Sequence, residues 1–114
     1  MSDRPWQQRV RDMLDTLAEI QQFCADLSYE QFRTDAKTQK AVSADLAILG
    51  EAARHIPEQV VNNHPEVPWH LMRGMRNRVI HAYFAVDPQI VWETVQNDLP
   101  PLVGQLQEVL AKNP

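Results

Sequence analysis

Within ten residues, Met75 to Phe84, the chain reads MRNRVIHAYF: two arginines, an asparagine, a histidine and a tyrosine. Each has a definite chemical capacity. Arginine presents a planar fork of donors that fits phosphate oxygens. Histidine takes or gives a proton near neutral pH. Asparagine can orient either, and tyrosine carries a hydroxyl on a rigid arm. Together they suit RNA cleavage without a metal. A base removes the 2′-hydroxyl proton, the oxygen attacks the adjacent phosphorus, and arginine stabilises the developing charge. An acid then protonates the departing 5′-oxygen. One histidine does not easily serve as base and acid at once, whereas two copies facing across a two-fold axis supply both. The competing reading of the same residues is a surface histidine, solvated arginines and a tyrosine at a bundle edge.

The segment must ride on a helix. At about 100° per residue, with Arg76 at zero, Leu71, Met72, Met75, Val79 and Ala82 fall in one arc of roughly 220–320°, the expected core face. Tyr83 and Arg76 lie beside it, Arg73 follows at about 60°, Asn77 at about 100° and His81 at about 140°. Trp69, Ile80 and Phe84 fall among these polar residues, at roughly 20–80°. Such a placement predicts a second covered side of the helix, packed against another helix of the same chain or against a second copy.

Apolar residues from Val10 to Leu27 recur every three or four positions and predict a helix over Trp6–Leu27. Ser28 is placed to cap a short helix. A second long helix is expected from about Asp35 to His55, with Val42, Leu46, Leu49 and Ala53 inward and alanines permitting close packing. PEQVVNNHP, from Pro57, reads as one turn and then loop. Pro68 suits the first turn of a third long helix, and Asp87-Pro88 an N-cap and first turn of the next. Pro100-Pro101 should kink or split the last helical stretch. No strand-like alternation, repeat or linker interrupts the pattern. The expectation is an all-α fold over residues 1–114, a single domain: an antiparallel up-and-down bundle of four long helices plus short ones.

Composition narrows the function. One cysteine, Cys24, in an apolar stripe argues for a reducing cytosol and against a disulfide framework or cysteine zinc site. His55, His64 and His70 show no metal-ligand spacing with carboxylates, so no metal and no cofactor are expected. The charged start, MSDRPWQQRVRD, does not read as a signal peptide. No apolar run reaches the roughly 20 residues of a membrane span, so a soluble, cytoplasmic protein is expected. Net charge is −4, against non-specific coating of nucleic acid. Yet no acidic residue lies between Glu66 and Asp87, while Arg73, Arg76 and Arg78 do, making the segment locally cationic. Glu51 has two readings: an orienter of Arg76 or Arg73 across the bundle, or a solvated helix carboxylate.

Arg76-Asn77-Arg78-Val79-Ile80-His81-Ala82-Tyr83 resembles the R-x4-H-x-Y motif of HEPN-domain proteins of the HepT type, the ribonuclease toxins of HepT–MntA toxin–antitoxin pairs. LAILGEAARHIPEQ, HPEVPWHLMRGMRN and VWETVQNDLPPLVGQL are similar, in the same order, to further stretches of that family. The resemblance implies a HEPN-type bundle, a homodimer, and a metal-independent endoribonuclease acting on tRNA or mRNA from a site formed across the dimer cleft. It carries Arg76 and His81 over as the catalytic pair, with Asn77 as the polar residue beside the arginine. Arg73 and Arg78 would support the RNA phosphates. It makes Tyr83 the tyrosine to which a cognate MntA-like nucleotidyltransferase antitoxin adds AMP, silencing the toxin. The alternative is a helical partner of a nucleotidyltransferase with no activity of its own.

Overall fold

A computed structural model describes residues 4–82 and 87–114, with residues 80–82 described by their backbone alone. The side chains of Ile80 and His81, and Tyr83 and Phe84 entirely, lie outside the described residues. Among those residues every regular element is helical. The expected all-α class is what the chain adopts.

Helix α1 spans Trp6–Cys24 and buries Val10, Met13, Leu17, Ile20 and Cys24 along one stripe. It ends three residues before the expected Leu27. Ser28 takes an extended backbone and forms a capping box with Gln31, which starts α2, Tyr29–Phe32, and so closes α1 early. Phe23 falls outside the stripe and is exposed. Phe32 is fully buried, its ring 5.2 Å from that of Trp92.

Asp35 accepts a hydrogen bond from the Thr38 amide at 3.0 Å and caps α3, Ala36–Arg54. Val42, Leu46, Leu49 and Ala53 point inward, as their spacing predicts. Each fully buried side chain of this size contributes about 1.5–3 kcal/mol. Helix α4, Glu58–Asn63, follows Pro57, and α5 covers Trp69–Ala82. Helix α3 is the centre of the packing, with α1 on one side and α5 on the other.

Asp87 caps α6, Pro88–Glu93, through the Gln89 amide. The proline pair then acts as expected, by a specific device. Pro100 brings no N–H, and its ring would crowd the carbonyl a turn back. The chain widens into a π turn, Thr94–Asp98, in which the Leu99 amide reaches the Thr94 carbonyl at 3.1 Å. Helix α7, Pro100–Lys112, then starts afresh with proline in its first turn and returns against α1. Among the described residues no helix is long and apolar enough to cross a membrane.

The wheel puts Trp69 off the main core face of α5, on a side open to this chain or to a second copy, and the fold packs it within this chain. Trp69 is buried, and its indole N–H donates to the His64 carbonyl at 3.0 Å. Asn113, just past α7, donates to His64 Nε2 at 3.0 Å and to the Val109 carbonyl at 2.7 Å. With Nε2 accepting, the proton sits on Nδ1, which faces Glu66 at 3.3 Å. Helix α5 does have a second covered side at its start, but this chain itself covers it.

One buried group works against the fold. Asp45 of α3 is 7% exposed, and its Oδ2 has no hydrogen-bond partner among the described residues. Burial, and then the charge and hydrogen bond of Glu19 on α1, push its carboxyl up to about 6 from an ordinary 3.8. Below the lower value both folded and unfolded chains hold the proton, and the site costs nothing. As pH rises between the two values the unfolded chain releases it first, so stability falls and stays lower above the upper one. Asp45→Asn keeps a donor toward Glu19 without the charge. Urea titration should show it more stable than the parent at pH 7.5, by on the order of 2 kcal/mol, and indistinguishable at pH 3.5.

Candidate active site

The approach of α3 to α5 positions the polar set. A Cβ built on Gly50 would lie 2.8 Å from the Met72 carbonyl oxygen and 3.0 Å from the Arg76 nitrogen. Only glycine lets the helix backbones meet there. The next residue on α3 is Glu51, and the closeness carries its carboxylate beside Arg76, with Oε1 3.6 Å from Nε. The other oxygen lies 3.6 Å from His55 Nε2. Of the two arginines open to Glu51, the fold selects Arg76.

That pair is loose. Both side chains are about half exposed, 46% and 51%, and 3.6 Å is an ion-pair distance rather than a hydrogen bond. It contributes little to stability, and its effect is to bias the rotamer of an arginine that still faces water.

Arg73, one turn earlier, is engaged in a different way. Its Nε donates to the Ala53 carbonyl at 3.1 Å and its Nη2 to the Ile56 carbonyl at 3.0 Å. Nη1 pairs with Glu58 at 2.9 Å. Helix α3 ends without a glycine cap. Arg73 adds a second donor to the Ala53 carbonyl, which also accepts from the Ile56 amide at 3.3 Å, and bonds the Ile56 carbonyl just past the helix. The expected phosphate contact at Arg73 therefore competes with three interactions inside the chain. The sequence signal for this was the glycine-free AARHIP ending, which needs a donor from elsewhere.

Asn77 and Arg78 are exposed, on different sides of α5. Asn77 borders an open groove of about 510 Å3 shared with Arg54 and His70. Arg78 borders a smaller hollow of about 90 Å3 with Ser43, Leu46 and Val91. The backbone at His81 continues α5. A five-residue step on one helix separates two positions by about 7.5 Å along the axis and about 140° around it. Positions 76 and 81 of one chain thus fall on different sides of the helix. The expected AMP acceptor, Tyr83, lies outside the described residues.

The family model described as "Ribonuclease HepT-like" matches residues 13–109. The chain is 42% identical over 103 residues to a Thermococcus cleftensis protein named "Probable ribonuclease HepT", covering 87% of this chain and 94% of that one. It is 36% identical over 99 residues to a Methanocaldococcus jannaschii protein described as a "Putative RNase", covering 87% and 82%. A protein of Caldanaerobacter subterraneus described in the same words is 38% identical over 86 residues, covering 75% and 77%. No solved structure matches the chain.

The α3–α5 contact makes Gly50 the sensitive position. Gly50→Ala sets a methyl against backbone atoms that cannot rotate away, and it should lower stability by about 1–3 kcal/mol in thermal unfolding. Gly104→Ala is the control: a Cβ there meets nothing within 4 Å, and removing a helical glycine should raise stability by up to about 1 kcal/mol. Equal effects of the two substitutions would contradict the tight crossing.

Proposed function

The chain belongs to the HepT-like ribonuclease family, and from that footing we propose that it is the toxin of a type VII HepT–MntA toxin–antitoxin pair. It cleaves RNA as a homodimer and without a metal. What supports the reading is the placement of Arg76: exposed, beside Glu51, and on the same helix as position 81, five residues on. In this reading the two groups converge on one phosphate only when a second copy joins the first.

In this scheme His81 of one copy takes the 2′-hydroxyl proton. The oxygen forms a bond to phosphorus while the bond to the 5′-oxygen breaks. His81 of the second copy supplies the proton to that leaving oxygen, and a 2′,3′-cyclic phosphate remains. Arg76 compensates the charge gathered on the phosphoryl oxygens. Asn77 holds a histidine or a phosphate in register. Arg78 assists through the general field, while Arg73 is left mainly to the end of α3.

Tyr83 is the switch. In the sequence it follows Arg76 by seven residues, about 20° from it on a helical wheel. The partner nucleotidyltransferase directs its hydroxyl at the α-phosphorus of ATP, and pyrophosphate departs. The attached AMP places a phosphate within reach of Arg76 and a base in the cleft, and RNA is shut out.

Purified protein, free of any partner, should cut tRNA or mRNA in EDTA and leave cyclic phosphate ends. His81→Ala and Arg76→Ala should each reduce cleavage by about 100-fold or more while thermal unfolding is unchanged. Cleavage that survives His81→Ala in a nuclease-free preparation, or that needs a divalent ion, would refute the mechanism. An unmodified dimer that cuts nothing would favour the non-catalytic partner of a nucleotidyltransferase. Co-expression with a cognate MntA-like nucleotidyltransferase should add one or more AMP masses to the parent and none to Tyr83→Phe. Binding should be modest and salt-sensitive, since an acidic protein holds RNA only at its cationic segment.

A further inference from the structure

Helix α5 turns a second polar face away from Glu51, into the groove of about 510 Å3 bounded by Arg54 and Ile56, Glu58 of α4, and His70, Gly74 and Asn77 of α5. That volume falls within the roughly 300–1,000 Å3 of small-ligand sites. Four features point to an occupant. The first is Gly74, in the middle of α5, where glycine is unfavourable compared with alanine. A Cβ there would meet nothing within 4 Å, so no neighbour in this chain requires the glycine as α5 requires Gly50. Gly104 is equally open but lies outside the groove. A bare helix backbone on the floor of a groove permits a flat group to lie against it.

The second feature is the set of unused donors. Arg54, His70 and Asn77 make no hydrogen bond or ion pair among the described residues. A guanidinium and an imidazole are the planar groups on which unstacked bases lie. Third, the groove has an apolar element in Ile56 and a carboxylate in Glu58, which keeps one oxygen on Arg73 at 2.9 Å. A carboxylate repels a phosphate but accepts the amino N–H groups of a base edge. Fourth, the groove begins at Asn77, the residue immediately after Arg76.

We propose that this groove is a base-binding subsite, seating an amino-bearing base (adenine, cytosine or guanine) of single-stranded RNA next to the phosphate held at Arg76. Arg54 and His70 cover the faces of the base and Glu58 accepts from its amino group. Uracil, with no exocyclic amino group, fits less well. The proposal deepens the ribonuclease reading and rests on it for the identity of the neighbouring phosphate.

The test separates the two. Fluorescein-labelled 2′-O-methyl hexamers of A and of U carry no free 2′-hydroxyl, so binding is read by anisotropy whether or not the protein cuts. The parent should bind the A hexamer about tenfold more tightly than the U hexamer. Gly74→Leu, which fills the groove from a position with open space, should erase that preference with unfolding unchanged. Arg54→Ala and His70→Ala should each reduce it. With cleavable RNA, Gly74→Leu should raise KM far more than it lowers kcat. No preference in the parent, or an undiminished one in Gly74→Leu, overturns the subsite. So does a Gly74→Leu protein that becomes monomeric in light scattering, because the groove then seats a second copy. A parent that fails to cut but binds with a groove-dependent preference keeps the subsite and removes the nuclease.

Discussion

The backbone contact between α3 and α5 at Gly50 is the constraint on which the site depends. A mid-helix glycine is unfavourable by about 1 kcal/mol relative to alanine. Here that cost is offset by letting the Met72 carbonyl and the Arg76 amide lie against α3 at a distance no side chain would allow. Ala53, also buried, follows one turn later, and Arg73 of α5 bonds its carbonyl. With the axes this close, the residue after the glycine is forced alongside α5. Glu51 reaches Arg76 because Gly50 has no side chain.

Two arginines one turn apart on α5 then have different fates. Arg73 faces the end of α3, and all three guanidinium nitrogens find acceptors: the Ala53 and Ile56 carbonyls and Glu58 of α4. Arg76 faces the middle of α3, whose carbonyls are already bonded within the helix, and finds only an exposed carboxylate at 3.6 Å. One side chain becomes part of the scaffold and the other stays available. The start of α5 is fixed in the same spirit. Trp69, His64 and Asn113 tie it to the end of α7, and Gln105 of α7 donates to the Glu66 carbonyl at 3.1 Å.

Much of this frame was legible from the residues because its determinants are local. The inward stripes of α1 and α3 follow three- and four-residue spacing, and Ser28, Asp35 and Asp87 cap where their types and neighbours suggest. Pro100-Pro101 announced a break, though not that a π turn would make it. What escaped depended on the other side of a contact. A helical wheel put Trp69 on a second covered side of α5 but did not say what covers it, which the α4–α5 junction and the end of α7 do. Arg73 looked like a second phosphate ligand because the end of α3 was not yet opposite it. Asp45 lies within the inward run of α3, and its partner Glu19 is on another helix. The exposure of Arg76 and Asn77 was readable from the wheel. The identity of their neighbours was not.

The Arg76–Glu51 pair also bears on how an acidic protein could act on RNA. A carboxylate next to an arginine proposed to bind phosphate is at first sight a handicap, since it competes for the guanidinium and repels the incoming anion. The geometry limits both effects. At 3.6 Å and half exposed, the pair is worth at most about 1 kcal/mol. A phosphodiester meeting the guanidinium fork with two charge-assisted hydrogen bonds exceeds that. Glu51 would then act as a placeholder, keeping the arginine extended and pointed outward until a ligand with better geometry displaces it. His55, 3.6 Å away on the next turn of α3, can take up the released carboxylate when protonated. On this argument the carboxylate raises selectivity for a ligand with two well-placed oxygens over any stray anion. A buried, hydrogen-bonded pair in the same position would have closed the site.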